Sequence, residues 1–546
     1  LKKTIHLISC SIEEGPLSYP LGALCIQTAL RTDSEIAPFI EVSHHRYTQD
    51  HDDPVKFALD VAERGYDVVG LSVYLYNRQW MEDFCTALRT KAPKTVLFAG
   101  GPEVSSDNFL LDASTVDFVI YGEGEVATAM AIKQLLHNKE ITGPGIASGS
   151  ASRHTVVAPV DLANTTSPIL DNEDSLDDYQ GVLWELTRGC PFNCSFCFEG
   201  RGEKSVRHIP FERIKQELKV LISHDIKQVF VLDPTFNLDK KRTVQILQFL
   251  VDTAPEDMHF TFEVRGELLD SDTVDLFSSL YCSLQIGLQS IHPEVDKFVG
   301  RTFNEKKFRN NMTLLIQHQI VFGLDLIIGL PTDTLEQFKA SLDYAIAMKP
   351  SNIDIFLLAM LPSAPLAASS KELNIRHLEE SPYTVIETPT MSEQDIKQAL
   401  FIKDACDLLY TKGSASMWFG VACGGLALHP SAVFEHFIEW ANDAGVDWED
   451  DPYEVQDRFF TDMYQKHHRE DLLPAILGFI ELHQGISFFQ ETNESPVIEL
   501  YYDPNDLAAL DSISLEEFIG TFERFSEKQA FYLYQAGPTI MMEKMQ

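Results

Sequence analysis

Apolar residues in this chain come mostly as short unbroken runs, each followed by a stretch with helical spacing. The runs at 5–9, 68–73, 95–99 and 118–121 are candidate strands. The last three are filled with Val, Ile, Leu and Phe, as parallel strands covered on both faces require. Between them, the 3.6-residue spacing predicts helices near 21–31, 55–65, 78–91 and 125–137. This alternation predicts a doubly wound α/β domain over residues 1–145. A Lys2-Lys3 pair precedes the first run, but Glu13 and Glu14 come too soon for a secretory leader, so the run reads as a strand.

Residues 146–180 change character. Ser148-Gly149-Ser150-Ala151-Ser152, Asn164-Thr165-Thr166-Ser167-Pro168 and Asp171-Asn172-Glu173-Asp174 are polar and rich in helix and strand breakers. They predict a linker, with some extended chain near Val156 and Val157. From 181 to 375 the alternation resumes, with strands expected at 182–186, 228–232, 259–264, 283–288, 323–328 and 353–358. Helices are expected near 211–223, 239–252, 271–280, 304–318 and 334–347. Six such units predict a partial (β/α)6 barrel, whose chemistry would sit at the C-terminal ends of its strands. Residues 376–546 are expected to form a mostly helical, aromatic-rich C-terminal domain, acidic between 439 and 471.

Composition narrows the classes. At 546 residues the chain is too long for a single core. It is 45% hydrophobic and 23% charged, ordinary for a globular protein, and no apolar run is long enough to span a bilayer. The net charge of −39 opposes a general nucleic-acid surface, which needs Lys and Arg against phosphate. Nine dispersed cysteines do not form a disulfide framework and fit a reducing cytoplasm.

Three of those cysteines stand together in Thr187-Arg188-Gly189-Cys190-Pro191-Phe192-Asn193-Cys194-Ser195-Phe196-Cys197. The spacing C-x3-C-x2-C lets one loop hold three irons of an iron–sulfur cube and leaves the fourth open to a small molecule. The alternative is a structural zinc site completed by Cys282 or His208. The loop follows the first barrel strand, where a barrel places its working loops. Two histidine pairs, His44-His45 and His467-His468, look like metal pairs, but neighbours on a helix point about 100° apart, so both are expected on the surface. Trp418-Phe419 and Trp440 are expected in the core.

The cysteine loop resembles the signature of the radical S-adenosylmethionine (SAM) enzymes, in which Cys190, Cys194 and Cys197 would bind a [4Fe-4S] cluster whose open iron takes SAM. The resemblance implies SAM contacts at Phe196 and along successive strand ends: Asp233, Glu263, Arg265, Gln289, Ser290, Arg301, Gly329 and Pro331. The N-terminal part resembles the Rossmann-like cobalamin-binding domain that precedes the barrel in one branch of that superfamily. The matching fragments are Tyr19-Pro20-Leu21-Gly22, Gly70-Leu71-Ser72-Val73-Tyr74, Gly100-Gly101-Pro102-Glu103 and Tyr121-Gly122-Glu123-Gly124-Glu125. They imply cobalamin contacts at Leu21, Gly22, Ser72, Gly100, Gly101, Gly122, Glu123, Gly124 and Glu125. Domains that supply a cobalt-ligating histidine carry D-x-H-x-x-G, whereas this chain has Asp50-His51-Asp52-Asp53. The lower cobalt face is therefore expected over 72–78, with Tyr74, Tyr76 and Asn77 as neighbours and no histidine ligand.

Together these resemblances imply a cobalamin-dependent radical SAM methyltransferase acting on an unactivated carbon through a 5′-deoxyadenosyl radical. They also imply flavodoxin or ferredoxin as electron donor, and a small-molecule or peptide substrate. Three alternatives stand beside it. One is rearrangement or cyclisation without methyl transfer. Another is a non-catalytic cobalamin-binding protein. The third, a tRNA methylthiotransferase, would carry an extra cysteine cluster at the N-terminus and a basic C-terminal domain, and this sequence shows neither.

Overall fold

The computed structural model describes residues 2–12, 15, 18–49, 52–104, 111, 115–149, 159–200, 205–362, 364–536 and 539–545. The expectations for Glu13, Glu14, Asp50, His51, Val156 and Val157 lie outside the described residues. The chain divides into two compact units. The first comprises residues 1–283, 359–372 and 377–384; the second comprises 284–358, 373–376 and 385–546.

The first unit opens with a six-stranded sheet in the order β2-β1-β3-β4-β5-β6. Its strands are β1 (Lys3–Ser11), β2 (Ile40–Thr48), β3 (Val68–Ser72), β4 (Val96–Gly100), β5 (Phe118–Ile120) and β6 (Ile146–Ala147). Ile5 pairs with Val68, and Val68 with Val96, in parallel register; only β6 runs antiparallel. Both side-chain parities are buried. Leu7, Val68 and Phe98 join a core with Ala127 and Ala131 of the helix Gly124–Leu136, while Ile8, Val69 and Leu97 join one with Trp80 and Phe84 of Arg78–Lys91. Two-sided burial is why these strands read as continuous apolar runs.

β2 was not among the expected strands. Its sequence, Ile-Glu-Val-Ser-His-His-Arg-Tyr-Thr, is polar because it lies at a sheet edge. The pair His44-His45 therefore lies in a strand, not on a helix, with His44 half-buried and His45 exposed. His44 Nε2 lies 2.8 Å from Ser9 Oγ, and burial pulls the His44 pKa down to about 3. His467 and His468 end a helix and stay at the surface.

The first unit also carries β7 (Gly181–Trp184), β10 (Gln228–Val231) and β11 (His259–Val264), in the order β11-β10-β7, and the second unit carries most of β12 (Cys282–Gln289), with β13 (Val321–Ile328) and β14 (Asn352–Leu357), in the order β14-β13-β12. A two-strand hairpin, β8 (Thr187–Arg188) and β9 (Arg207–His208), brackets the cysteine loop. Helices at Phe211–Ser223, Lys240–Thr253, Ser271–Phe277, Glu305–Gln317 and Leu335–Ala347 match the expected positions closely. Their starts are set by local chemistry. Asp239 accepts from the amides of Lys241 and Arg242, while Asp270 with Thr273 and Thr334 with Gln337 form reciprocal capping boxes.

The second unit continues into a helical array from Glu393 to Thr492, with Trp418 and Phe419 fully buried as expected. It also carries an unexpected antiparallel sheet of Val497–Leu500, Gln529–Ala536 and Thr539–Lys544. Among the described residues, no helix is long and apolar enough to cross a membrane.

Candidate cofactor-binding sites

In the first unit, two side chains fix the strand end that leads into the cysteine loop. Asp233 Oδ1 accepts from the Leu186 amide at 2.9 Å, and Arg242 Nη2 donates to the Leu186 carbonyl at 3.1 Å. Burial pushes the Asp233 carboxyl up to about 7, opposed by its hydrogen bonds to Thr187 and Leu186. Asp233 thus has its partners within the protein and supports the loop from below. The turn into the loop requires glycine. Gly189 has φ +91°, and a Cβ there would stand 2.5 Å from the Ser205 carbonyl oxygen.

Within the loop, Cys197 N donates to Cys194 O at 3.1 Å, and Cys190 Sγ lies 4.0 Å from Thr235 Oγ1. Leu366 N donates to Ser195 O at 2.8 Å, tying the loop to residues 359–372. All three thiols are half-buried. Burial raises Cys197, against the Glu199 amide, which lowers it; the adjacent thiols add to the rise. The Arg265 guanidinium lies 4.1 Å from the centre of the Phe192 ring, so this predicted SAM contact packs directly on the loop. Its amide donates to Asn237 Oδ1, and Glu263 O accepts from Phe236 N. Phe196 is half-buried in the loop.

The proposed zinc ligands are elsewhere or engaged. Cys282 begins β12 and donates its thiol to Phe277 O, while His208 Nδ1 lies 3.3 Å from Thr187 Oγ1. Among the described residues, no group of three or more His, Cys, Asp or Glu side chains is gathered to hold a single ion. Three thiols on one short loop are a donor set suited to three corners of an iron–sulfur cluster.

The same unit contains a cleft of about 430 Å³ at the C-terminal ends of β3 and β4, beside Leu7 and Ile8 of β1. Leu21, Gly22, Ser72, Tyr74, Gly100, Gly101, Gly122, Glu123, Gly124 and Glu125 all line it, as expected. Gly101 (φ +114°) lets its segment close onto β3, where a Cβ would meet Val73 O at 2.5 Å. One polar atom inside lacks a partner: Thr128 Oγ1, on a side chain 1% exposed, has no hydrogen bond. A buried hydroxyl without a partner is costly, and a polar ligand tail entering the cleft would satisfy it. Small residues, this orphan hydroxyl and the cleft volume fit the nucleotide tail of a cobalamin.

Tyr76 and Asn77 do not line the cleft. Asn77 is fully buried and spends its amide locally: Oδ1 accepts from Tyr74 N at 2.8 Å and Nδ2 donates to Ser72 O at 3.1 Å. It shapes the 72–77 turn. Tyr76 stacks on Tyr74 with ring centres 5.4 Å apart and is 42% exposed.

Sequence reasoning missed a charged group on the cleft wall. Arg188, two residues before Cys190, pairs with Glu125 at 2.7 Å, Glu185 at 2.8 Å and Glu123 at 3.3 Å. Only its place just ahead of the cysteines hinted at a role.

In the second unit, Gln289 ends β12 with φ +68°, and its Oε1 is buried without a partner. Ser290 is fully buried, with its hydroxyl accepting from His292 N at 3.2 Å. Arg301 donates to the Gly287 carbonyl. Gly329 turns the chain at φ +82° ahead of Pro331, at the end of β13. Gln285 was not anticipated; its Nε2 donates to Asp325 and, at 2.8 Å, to Asp354, which also accepts from Asn352 Nδ2 at 2.9 Å. Burial pushes Asp325 up to about 6, against the Gln285 hydrogen bond, and the nearby Asp354 charge adds to the rise.

Residues 14–132 match the B12 binding domain family, and residues 184–345 match the radical SAM superfamily. The chain is 26% identical over 384 residues to a cobalamin-dependent radical SAM methyltransferase, TokK, of Streptomyces tokunonensis, covering 64% of this chain and 55% of TokK. It thus spans about half the length of curated relatives such as TokK. Among solved structures, the radical SAM methyltransferase TsrM of Kitasatospora setae superposes with a TM-score of 0.58 at 17% identity, covering 71% of this chain and 81% of TsrM. The cobalamin-dependent enzyme OxsB superposes with a TM-score of 0.62 at 12% identity, covering 96% of this chain and 85% of OxsB. At these identities the likeness establishes the fold. With a glycine-lined cleft in the first matched segment and the cysteine loop in the second, the chain belongs to the branch of the radical SAM superfamily in which a B12-binding domain precedes the radical SAM domain.

Proposed function

We propose that this protein is a cobalamin-dependent radical SAM enzyme that transfers a methyl group to an unactivated carbon. The observation that carries the reading is the shared wall of the first unit. Leu183, Glu185 and Arg188, on the chain entering the cysteine loop, also line the cleft suited to cobalamin. Two cofactor sites in one compact unit are what a reaction using both would need. When bound, the cluster and SAM supply a hydrogen-abstracting radical, and cobalamin supplies the methyl group.

The chain's own residues position and enclose. Cys190, Cys194 and Cys197 hold the cluster, and Arg265, packed on Phe192, stiffens the loop beside it. Leu21, Ser72, the cleft glycines and Thr128 receive the cobalamin tail and exclude water from it. Gln289, Ser290, Arg301, Gly329 and Pro331 are proposed SAM contacts, of which Gln289 alone presents a buried acceptor without a partner. Tyr74, which lines the cleft, would stand beside the bound cobalamin, and this reading assigns it no histidine ligand. A flavodoxin- or ferredoxin-type donor, a small-molecule or peptide substrate and a cytoplasmic location belong to the same proposal. Methyltransferase relatives such as TokK support methylation.

The test is anaerobic turnover of reconstituted protein with SAM, hydroxocobalamin, a strong reductant and a panel of candidate substrates. Formation of both 5′-deoxyadenosine and S-adenosylhomocysteine is expected. Deoxyadenosine with a rearranged, unmethylated product would replace methyl transfer with the rearrangement reading.

A further inference from the structure

Five charged side chains of the first unit meet where the cysteine hairpin reaches the cleft. Register places Arg188 on β8 directly opposite Arg207 on β9. Two like charges side by side are unfavourable unless acids intervene, and here they do. Glu123 lies 3.3 Å from Arg188, and its carboxylate accepts from both terminal nitrogens of Arg207. Glu125 and Glu185 take the remaining faces of Arg188 at 2.7 and 2.8 Å. The group is little exposed, with Arg188 at 17% and Glu125 at 10%, so its ion pairs are only weakly screened by solvent.

The positions of these residues matter more than their number. Arg188 and Arg207 flank the cysteine loop, one immediately before Gly189 and the other immediately after Val206. Glu123 and Glu125 belong to the turn that opens the helix Gly124–Leu136 and lines the cleft. Anything that seats against this turn presses on the acids that hold both ends of the loop.

We infer that Arg188 is a positioning residue that couples the two sites, so that occupancy of the cleft and of the cysteine loop strengthen each other. The inference rests on the cofactor reading proposed above. The planar guanidinium engages three acids at once, which a lysine cannot reproduce. Coupling between binding events is reciprocal, so it can be read from either side.

The experiment titrates hydroxocobalamin anaerobically into the full chain, followed by absorbance, in cluster-loaded and iron-free forms. The loaded form is expected to bind roughly 5- to 100-fold more tightly. Arg188→Met should bring that ratio to about one, while Arg188→Lys keeps part of it. Glu125→Gln provides a second variant that removes one arm of the group and should give an intermediate ratio. A residue important only for folding would shift both affinities together and leave the ratio intact. Equal affinity of the two wild-type forms, or an unchanged ratio in Arg188→Met, would overturn the inference alone. Failure of both forms to bind cobalamin would remove the cofactor reading, and this inference with it.

Discussion

The cleft of the first unit and the shared face of β12, β13 and β14 in the second handle polar groups in opposite ways. The cleft is made by leaving side chains out: glycines at 22, 70, 100, 101, 122 and 124 open the space, and Thr128 Oγ1 is left without a partner. On β12, β13 and β14 the four side chains of Gln285, Asn352, Asp325 and Asp354 instead satisfy one another. An open cleft with an orphan hydroxyl gains free energy when a ligand arrives. Side chains that already satisfy one another gain less from a ligand and set shape. The difference separates a site built to bind from a scaffold that positions.

The largest effect belongs to the cysteine loop. Any one of Cys190→Ala, Cys194→Ala or Cys197→Ala should abolish cluster assembly, read as loss of iron and of the cluster's visible absorbance, with the thermal melting of the apoprotein little changed. Next is Gly101→Val. It forces a branched side chain into φ +114° and against Val73 O, a backbone strain of about 1–3 kcal/mol before any clash. Cobalamin affinity should fall more than tenfold, and the melting temperature should drop. Retained affinity would show that the cleft does not depend on this close approach.

The cleft could be read in advance because its signal is local. Gly100-Gly101 and Gly122-Glu123-Gly124-Glu125 are contiguous, as is the cysteine loop, and the strand ends that carry them are strongly apolar. The β12–β14 lattice could not be read. Gln285 lies 40 residues from Asp325 and 69 from Asp354, and only strand register brings them together. Arg188 was hidden for the same reason: its partners Glu123 and Glu125 lie in a different domain of the sequence. β2 was missed because an edge strand need not be apolar on both faces. Asn77 was assigned to the ligand because its amide's use by the Ser72 and Tyr74 backbone is a matter of turn geometry.

A third prediction tests the lattice. The Asp325 carboxyl is raised from its ordinary value to about 6, so the native state binds a proton more readily than the unfolded chain. Stability from this group is therefore present below about pH 4 and is lost as pH rises to about 6. Asp325→Asn, which can still accept from Gln285, should stabilise the protein at pH 8 by on the order of 1–3 kcal/mol. The gain should shrink towards pH 4, as read by denaturant unfolding at both values. A gain independent of pH would mean that titration of Asp325 is not its source.

The smallest effect distinguishes the cleft most cleanly from the lattice. Thr128→Val removes the orphan hydroxyl without changing shape. Stability without ligand should hold or rise slightly, while cobalamin affinity falls about fivefold, the value of one hydrogen bond near 1 kcal/mol. Unchanged affinity would mean that the ligand does not reach Thr128.

The central claim is that one compact unit holds both cofactors, and its most direct measurement is the metal content of the full chain after anaerobic reconstitution with iron, sulfide and hydroxocobalamin. The account predicts about four irons and about one tightly held cobalamin per chain, with iron lost and cobalamin still bound, though more weakly, in Cys190→Ala, and cobalamin lost with iron still present in Gly101→Val. A folded, iron-loaded protein that holds no cobalamin would contradict it.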